Sequence, residues 1–125
     1  MRMLHTMIRV GDLQRSIDFY TQVLGMKLLR QKEYPEGRFT NTFVGYDDET
    51  RTAVLELTYN WDPEVYTGGR NFGHLAYQVD DIYALCAHLQ AQGVDILRPP
   101  RDGSMAFVRS PDGISIELLQ KGESL

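Results

Sequence analysis

Leu4-His5-Thr6-Met7-Ile8-Arg9-Val10 and Phe72-Gly73-His74-Leu75-Ala76-Tyr77-Gln78-Val79 open two near-identical patterns, half the chain apart. Each sets a histidine at the head of an apolar, alternating stretch that reads as a strand. An acidic turn follows in both, Gly11-Asp12 in the first and Asp80-Asp81 in the second. Apolar residues then recur at helical spacing, at 13, 17, 20 and 24 and again at 82, 85, 86 and 89. Gly25 and Gly93 stand where these helices should stop. Three more strands are expected in each half, at about 26–33, 39–46 and 52–59, then at about 94–98, 104–109 and 113–120. Pro35-Glu36-Gly37, Asp47-Asp48-Glu49, Pro99-Pro100-Arg101-Asp102-Gly103 and Ser110-Pro111-Asp112-Gly113 supply the turns. The expectation is an α+β protein, a single domain over residues 1–125 made of two tandem βαβββ modules with cupped mixed sheets. The modules span about 1–60 and 71–121, and 61–70, rich in Gly, Pro and Asp, connects them. His5 and His74 begin matching runs at a constant offset of 69 residues. Glu117 comes 43 residues after His74 and Glu56 comes 51 after His5, because the last turn is shorter in the second half.

A chain of 125 residues is long enough to bury a core and short enough for one domain. The net charge of -4 and a pI near 5.3 argue against a nucleic-acid groove or an anionic membrane surface as partner. Cys86 is the single cysteine and cannot form an internal disulfide. No apolar run approaches the ~20 residues of a membrane span. The first residues pass straight into a strand rather than an apolar signal segment, so a cytoplasmic location is expected.

Strand alternation sends every second side chain to one face. Met3, His5, Met7 and Arg9 then share a face, as do Val54, Glu56, Thr58 and Asn60. Phe72, His74, Ala76 and Gln78 align in the same way, and Ser115 with Glu117. His5 alone would read as a hydrogen-bonded core histidine, and Glu56 alone as a solvated carboxylate. The same coincidence occurs twice, in the same order and in equivalent elements. A carboxylate set among Val and Leu wants a cation, a proton or water. His5, Glu56, His74 and Glu117 therefore form a candidate metal set of two imidazoles and two carboxylates. Such donors suit nickel, cobalt, zinc, iron or manganese. Four protein donors around a six-coordinate ion leave two positions for a bidentate oxygen ligand. Acid–base chemistry beside a Lewis acid follows, with a glutamate as base. His88, on a helix flank without an echo in the first half, reads as solvated, and Cys86 reads as core.

Leu4 through Leu13, Arg15-Ser16-Ile17-Asp18-Phe19-Tyr20, Leu24-Gly25-Met26, Phe43-Val44-Gly45-Tyr46, Leu55 through Trp61, Phe72-Gly73-His74 and Asp112-Gly113 through Leu118 resemble bacterial glyoxalase I, the lactoylglutathione lyases of the vicinal oxygen chelate superfamily. The resemblance covers nearly the whole chain. It implies isomerisation of the hemithioacetal of methylglyoxal and glutathione to S-D-lactoylglutathione through a cis-enediolate. It implies a homodimer in which His5 and Glu56 of one subunit join His74 and Glu117 of the other around one divalent metal. The compact chain resembles the nickel class, so nickel or cobalt is expected, with zinc possible. Glu117 would act as the base, with Glu56 in the same role for the other enantiomer. Arg9 and Asn60 match positions that hold the γ-glutamyl end of glutathione. Arg70 and Arg98 fall where basic residues meet the thiol's carboxylates in the eukaryotic branch. The turn at 99–105 departs from the resemblance, being shorter than in many relatives whose extra residues cover the thiol's glycyl end; this admits a larger conjugate such as trypanothione as the alternative, while glutathione stays the expected thiol. Other superfamily chemistries remain as competitors: an extradiol dioxygenase, a fosfomycin-type thiol transferase, or a metal-free small-molecule binder. The first two resemble two-His-one-Glu sites without a counterpart of Glu56, and the binders usually lose the donors that stand here.

Overall fold

The computed structural model describes residues 1–122 and divides into two compact units, Met1–Thr67 and a second from Gly68 on. In the first unit β1 (His5–Arg9) leads to α1 (Leu13–Asp18), then β2 (Lys27–Tyr34), β3 (Phe39–Gly45) and β4 (Val54–Asn60). The second unit repeats the order with β5 (Leu75–Val79), α2 (Ile82–Ala91), β6 (Ile96–Arg98), β7 (Met105–Arg109) and β8 (Ser115–Gln120). Each unit is the expected βαβββ module with one four-stranded mixed sheet, ordered β1-β4-β3-β2 in the first and β5-β8-β7-β6 in the second. First and last strands of each module pair in parallel and the remaining neighbours antiparallel. The parallel pairing is what the helical crossover permits.

Acidic N-caps start both helices. Asp12 accepts from the Arg15 amide at 3.1 Å and Asp81 from the Ala84 amide at 3.0 Å. Each side chain thereby satisfies an amide that has no intrahelical partner. Gly25 and Gly93 end the helical segments at φ +74° and +81°, a backbone that a side chain would strain.

The first helix differs from the uniform helix expected over 13–24. Its last turn, Phe19–Val23, is π-helical, with the Leu24 amide donating to the Phe19 carbonyl at 3.1 Å. The wider turn carries adjacent Phe19 and Tyr20 into burial together, their rings edge to face at 5.0 Å. Phe19, absent from the apolar spacing read from the sequence at 13, 17, 20 and 24, is thus a core residue beside Tyr20. The strand expected to begin near residue 72 begins at Leu75, so His74 stands immediately ahead of β5 rather than within it.

Apolar burial lies mainly on one face of each sheet. In the first unit Ile8, Val10, Val44, Leu55 and Leu57 are buried, with Ile17, Phe19, Tyr20 and Leu24 from the helical segment. In the second, Ala106, Val108, Ile116 and Leu118 are buried with Ile82, Cys86 and Leu89, and α2 packs on β6 and β8. Cys86 is core as expected, its thiol pushed up by burial, and His88 is exposed. The opposite face of β1 carries exposed His5, Met7 and Arg9.

Candidate metal-binding half-sites

The register of the two parallel pairs places each histidine beside its glutamate. Met7 lies opposite Glu56, and Ala76 lies opposite Glu117. Each histidine precedes that paired residue by two, one pleat repeat, so it projects from the same face as the carboxylate and diagonally from it. The His5 Nε2 atom is 3.7 Å from Glu56 Oε1, and His74 Nε2 is 3.3 Å from Glu117 Oε1. Glu56 and Glu117 retain 14% and 17% of their side-chain exposure, while the histidines stay open at 38% and 42%. Neither carboxylate receives a hydrogen bond from another described residue.

Within each unit the imidazole and carboxylate can be compared with the spacing of two donors on one cation. Two donors each about 2.1 Å from one ion, at about 90–110°, stand about 3.0–3.4 Å apart. The second pair meets that spacing and the first lies slightly beyond it. Imidazole nitrogen and carboxylate oxygen together suit a borderline divalent ion. Each unit supplies two donors; no group of three or more His, Cys, Asp or Glu gathers among the described residues.

A further residue accompanies each pair, one that reasoning on charge and ligand type passed over. Phe43 on β3 is the register partner of Glu56, and its ring meets the His5 ring at 5.6 Å and 85°. Phe107 on β7 is the partner of Glu117 and meets His74 at 5.4 Å and 86°. The next strand out ends each row on an arginine, Arg30 opposite Phe43 and Arg98 opposite Phe107, each just after a register shift. Both sheets therefore carry carboxylate, phenyl and guanidinium in register, with imidazole one pleat away. The equivalence was present in the sequence, but detecting it needs strand register, which periodicity alone does not supply.

The arginines differ in their partners. Arg30 grips Glu49 with two hydrogen bonds, Nε to Oε2 at 2.8 Å and Nη2 to Oε1 at 3.1 Å. Its guanidinium carbon lies 3.7 Å from the centre of the Phe43 ring. Those hydrogen bonds hold the Glu49 carboxyl below the ordinary carboxylate value and push the guanidinium further up. Arg98 makes no hydrogen bond or ion pair among the described residues, although its charge helps lower the Asp102 carboxyl. With Leu97, Pro99, Arg101, Asp102 and Met105 it lines a concavity of about 390 Å³.

Among the residues expected to hold the thiol, Arg9 ends β1 opposite Thr58, and Asn60 ends β4. Alternation puts both on the His–Glu face. The Asn60 amide donates to the Tyr66 hydroxyl at 3.1 Å, a partner from the connecting segment that the sequence reading had not placed. Arg70 is exposed in the turn ahead of β5, and no described contact brings it to the row.

The family model for the glyoxalase/bleomycin resistance protein/dioxygenase superfamily matches residues 2–118. The chain belongs to that superfamily. Within it the chain is 56% identical to a lactoylglutathione lyase of Neisseria meningitidis serogroup B, over 97% of this chain and 91% of that protein. It is 50% identical to the lactoylglutathione lyase of Escherichia coli O157:H7, over 99% and 96%. The trypanothione-dependent glyoxalase I of Leishmania major superposes with a TM-score of 0.93 at 50% identity, covering 97% of this chain and 87% of that one. The fold expectation drawn from the duplicated pattern thus agrees with a solved superfamily structure.

Proposed function

We propose that this protein is a lactoylglutathione lyase that isomerises the hemithioacetal of methylglyoxal and glutathione. The observation that carries the reading is the duplicated pair: in each unit an imidazole Nε2 faces a half-buried carboxylate that has no other described donor. The two modules act as one domain, and His5 with Glu56 of one subunit completes a site with His74 and Glu117 of a second copy. A bound divalent ion, nickel or cobalt by preference, would supply Lewis-acid polarisation of the substrate's adjacent oxygens.

The protein's own residues do the rest. Glu117 removes the proton from the carbon bearing sulfur and returns it to the neighbouring carbon, while the hydroxyl proton passes from the first carbon's oxygen to the second's, turning a hemithioacetal into a thioester without net gain or loss of electrons. Glu56 stands at the matching position for the opposite enantiomer. Phe43 and Phe107 each set a ring edge to face beside an imidazole. Arg9 and Asn60 hold the γ-glutamyl end of the thiol, and Arg70 and Arg98 meet its carboxylates, for which a guanidinium fork is suited.

Arg98 and Arg101 with Asp102 leave the concavity at 97–105 with an excess of positive charge. That charge favours a thiol ending in a free carboxylate over one whose glycyl carboxylates are amidated to a cationic linker, such as trypanothione. The protein should therefore turn over the glutathione hemithioacetal in preference to the trypanothione one.

The test is chelator-stripped protein supplied with nickel, cobalt, zinc, manganese or iron in turn, following thioester formation from methylglyoxal and glutathione. Thioester formation greatest with nickel or cobalt is expected. Greatest activity with zinc would overturn the metal preference, and no thioester with any ion would overturn the function.

A further inference from the structure

The two sheets carry the same row, but the connection after the phenylalanine strand differs between them. Residues 46–53 join β3 to β4, whereas only 110–114 join β7 to β8. The longer connection contains Glu49, which closes both arms of the Arg30 fork. The shorter one has no acidic counterpart placed on Arg98, and it is tied up internally by the Ser110 hydroxyl, which accepts from the Asp112 and Ile114 amides. Bidentate pairing fixes the plane of a guanidinium, and a planar cation at 3.7 Å lies in face contact with an aromatic ring. Phe43 is buried between that plane and the edge-to-face imidazole of His5. Rotating the His5 ring gives up its edge-to-face contact with Phe43, and moving Phe43 breaks the contact with a clamped arginine.

We infer that Arg30, clamped by Glu49, is a positioning residue that acts through Phe43 to hold the His5 imidazole in its metal-binding orientation. Arg98, the duplicate of Arg30, lacks such a clamp and keeps its guanidinium for ligand. The inference rests on the assignment of His5 as a metal donor.

Electrostatics and positioning predict opposite signs for one variant. Arg30→Ala removes a cation near Glu56 and leaves the Glu49 carboxylate alone beside the half-site, which by charge alone tightens binding of a divalent ion. If Arg30 positions His5, the same variant weakens it, by about tenfold or more as for other partners that orient a metal ligand. Arg30→Lys keeps the charge without the planar fork and should behave like Arg30→Ala. Glu49→Gln retains Arg30 but loosens the clamp and serves as a milder second variant. Arg38→Ala is the control. Arg38 makes an equally bidentate pair with Asp62 (3.0 and 2.8 Å) and lies 5.8 Å from the Trp61 ring centre, on groups outside the row.

The experiment measures cobalt affinity of the full-length protein by chelator competition, with the visible cobalt spectrum and the thermal midpoint of the metal-free form recorded for every variant. Weaker cobalt binding with an altered spectrum in Arg30→Ala and Arg30→Lys, a smaller loss in Glu49→Gln, and unchanged binding in Arg38→Ala are expected. Unchanged or tighter binding in Arg30→Ala overturns the inference, as does an equal loss in Arg38→Ala. Failure of the unaltered protein to take up cobalt overturns the metal assignment itself and is distinguishable from either.

Discussion

Glu56 and Glu117 occupy matching places in the two modules, each opposite the residue two beyond its histidine and each beside a phenylalanine. Equivalence of place does not make equivalence of task. Either glutamine variant keeps an oxygen donor while removing a base. Glu117→Gln should hold metal but lose turnover by ~10²–10⁴, the usual contribution of a positioned general base. Glu56→Gln should lose less for the preferred enantiomer. Metal content and kcat under matched nickel measure both. Near-normal turnover in Glu117→Gln at full occupancy would transfer the role of base to Glu56.

At the scale of elements, each crossover helix depends on one aspartate. Asp81→Ala removes the acceptor of the Ala84 amide, and the expected cost is about 1 kcal/mol, read as a lower urea midpoint with the slope unchanged. Asp12→Ala should cost a similar amount in the first module. A slope change in either variant would mean that more than the cap was lost. The acidic turns that contain both caps were legible in the sequence, because an aspartate before an apolar period is a local signal, although the capping residue in each was not fixed there. The same holds for the glycine stops and for strand alternation, which put His5, Glu56 and Glu117 on the correct faces. The π-helical turn was not legible, since the apolar spacing at 13, 17, 20 and 24 is compatible with an ordinary helix and no local period encodes the wider turn. His74 falling just short of β5 was missed for a related reason: Phe72-Gly73-His74 alternates well enough, but the ladder with β8 begins only at Leu75. The Phe43 and Phe107 contacts escaped because they depend on which residue of β3 or β7 lies opposite the glutamate. Arg30 escaped on the same ground and on another, for its clamp lies in a turn whose length looked like mere variation.

For the whole molecule, the expected completeness of a site depends on a second copy. A chain carrying His5→Ala and another carrying Glu117→Ala should each be nearly inactive alone. Subunit exchange between them should restore activity, because one of the two sites in a mixed dimer then holds all four donors while the other lacks two. Mass spectrometry of the mixture checks that exchange has occurred. Activity that stays absent after verified exchange would sink the shared site.

The parallel pairing of the first and last strands has a kinetic consequence. His5 and Glu56 are 51 residues apart and His74 and Glu117 are 43 apart, so neither pair can meet through a local hairpin. The helix and two further strands lie in sequence between the two strands that pair in parallel in each sheet. Contacts of such long sequence separation carry their loop-closure entropy before any reward arrives. The donors are therefore expected to come together late in refolding, so a divalent ion present from the start should leave the refolding rate unchanged, which stopped-flow refolding with and without cobalt checks. A bound divalent ion would instead stabilise the finished state, acting as a latch on a door that the chain has to close by itself.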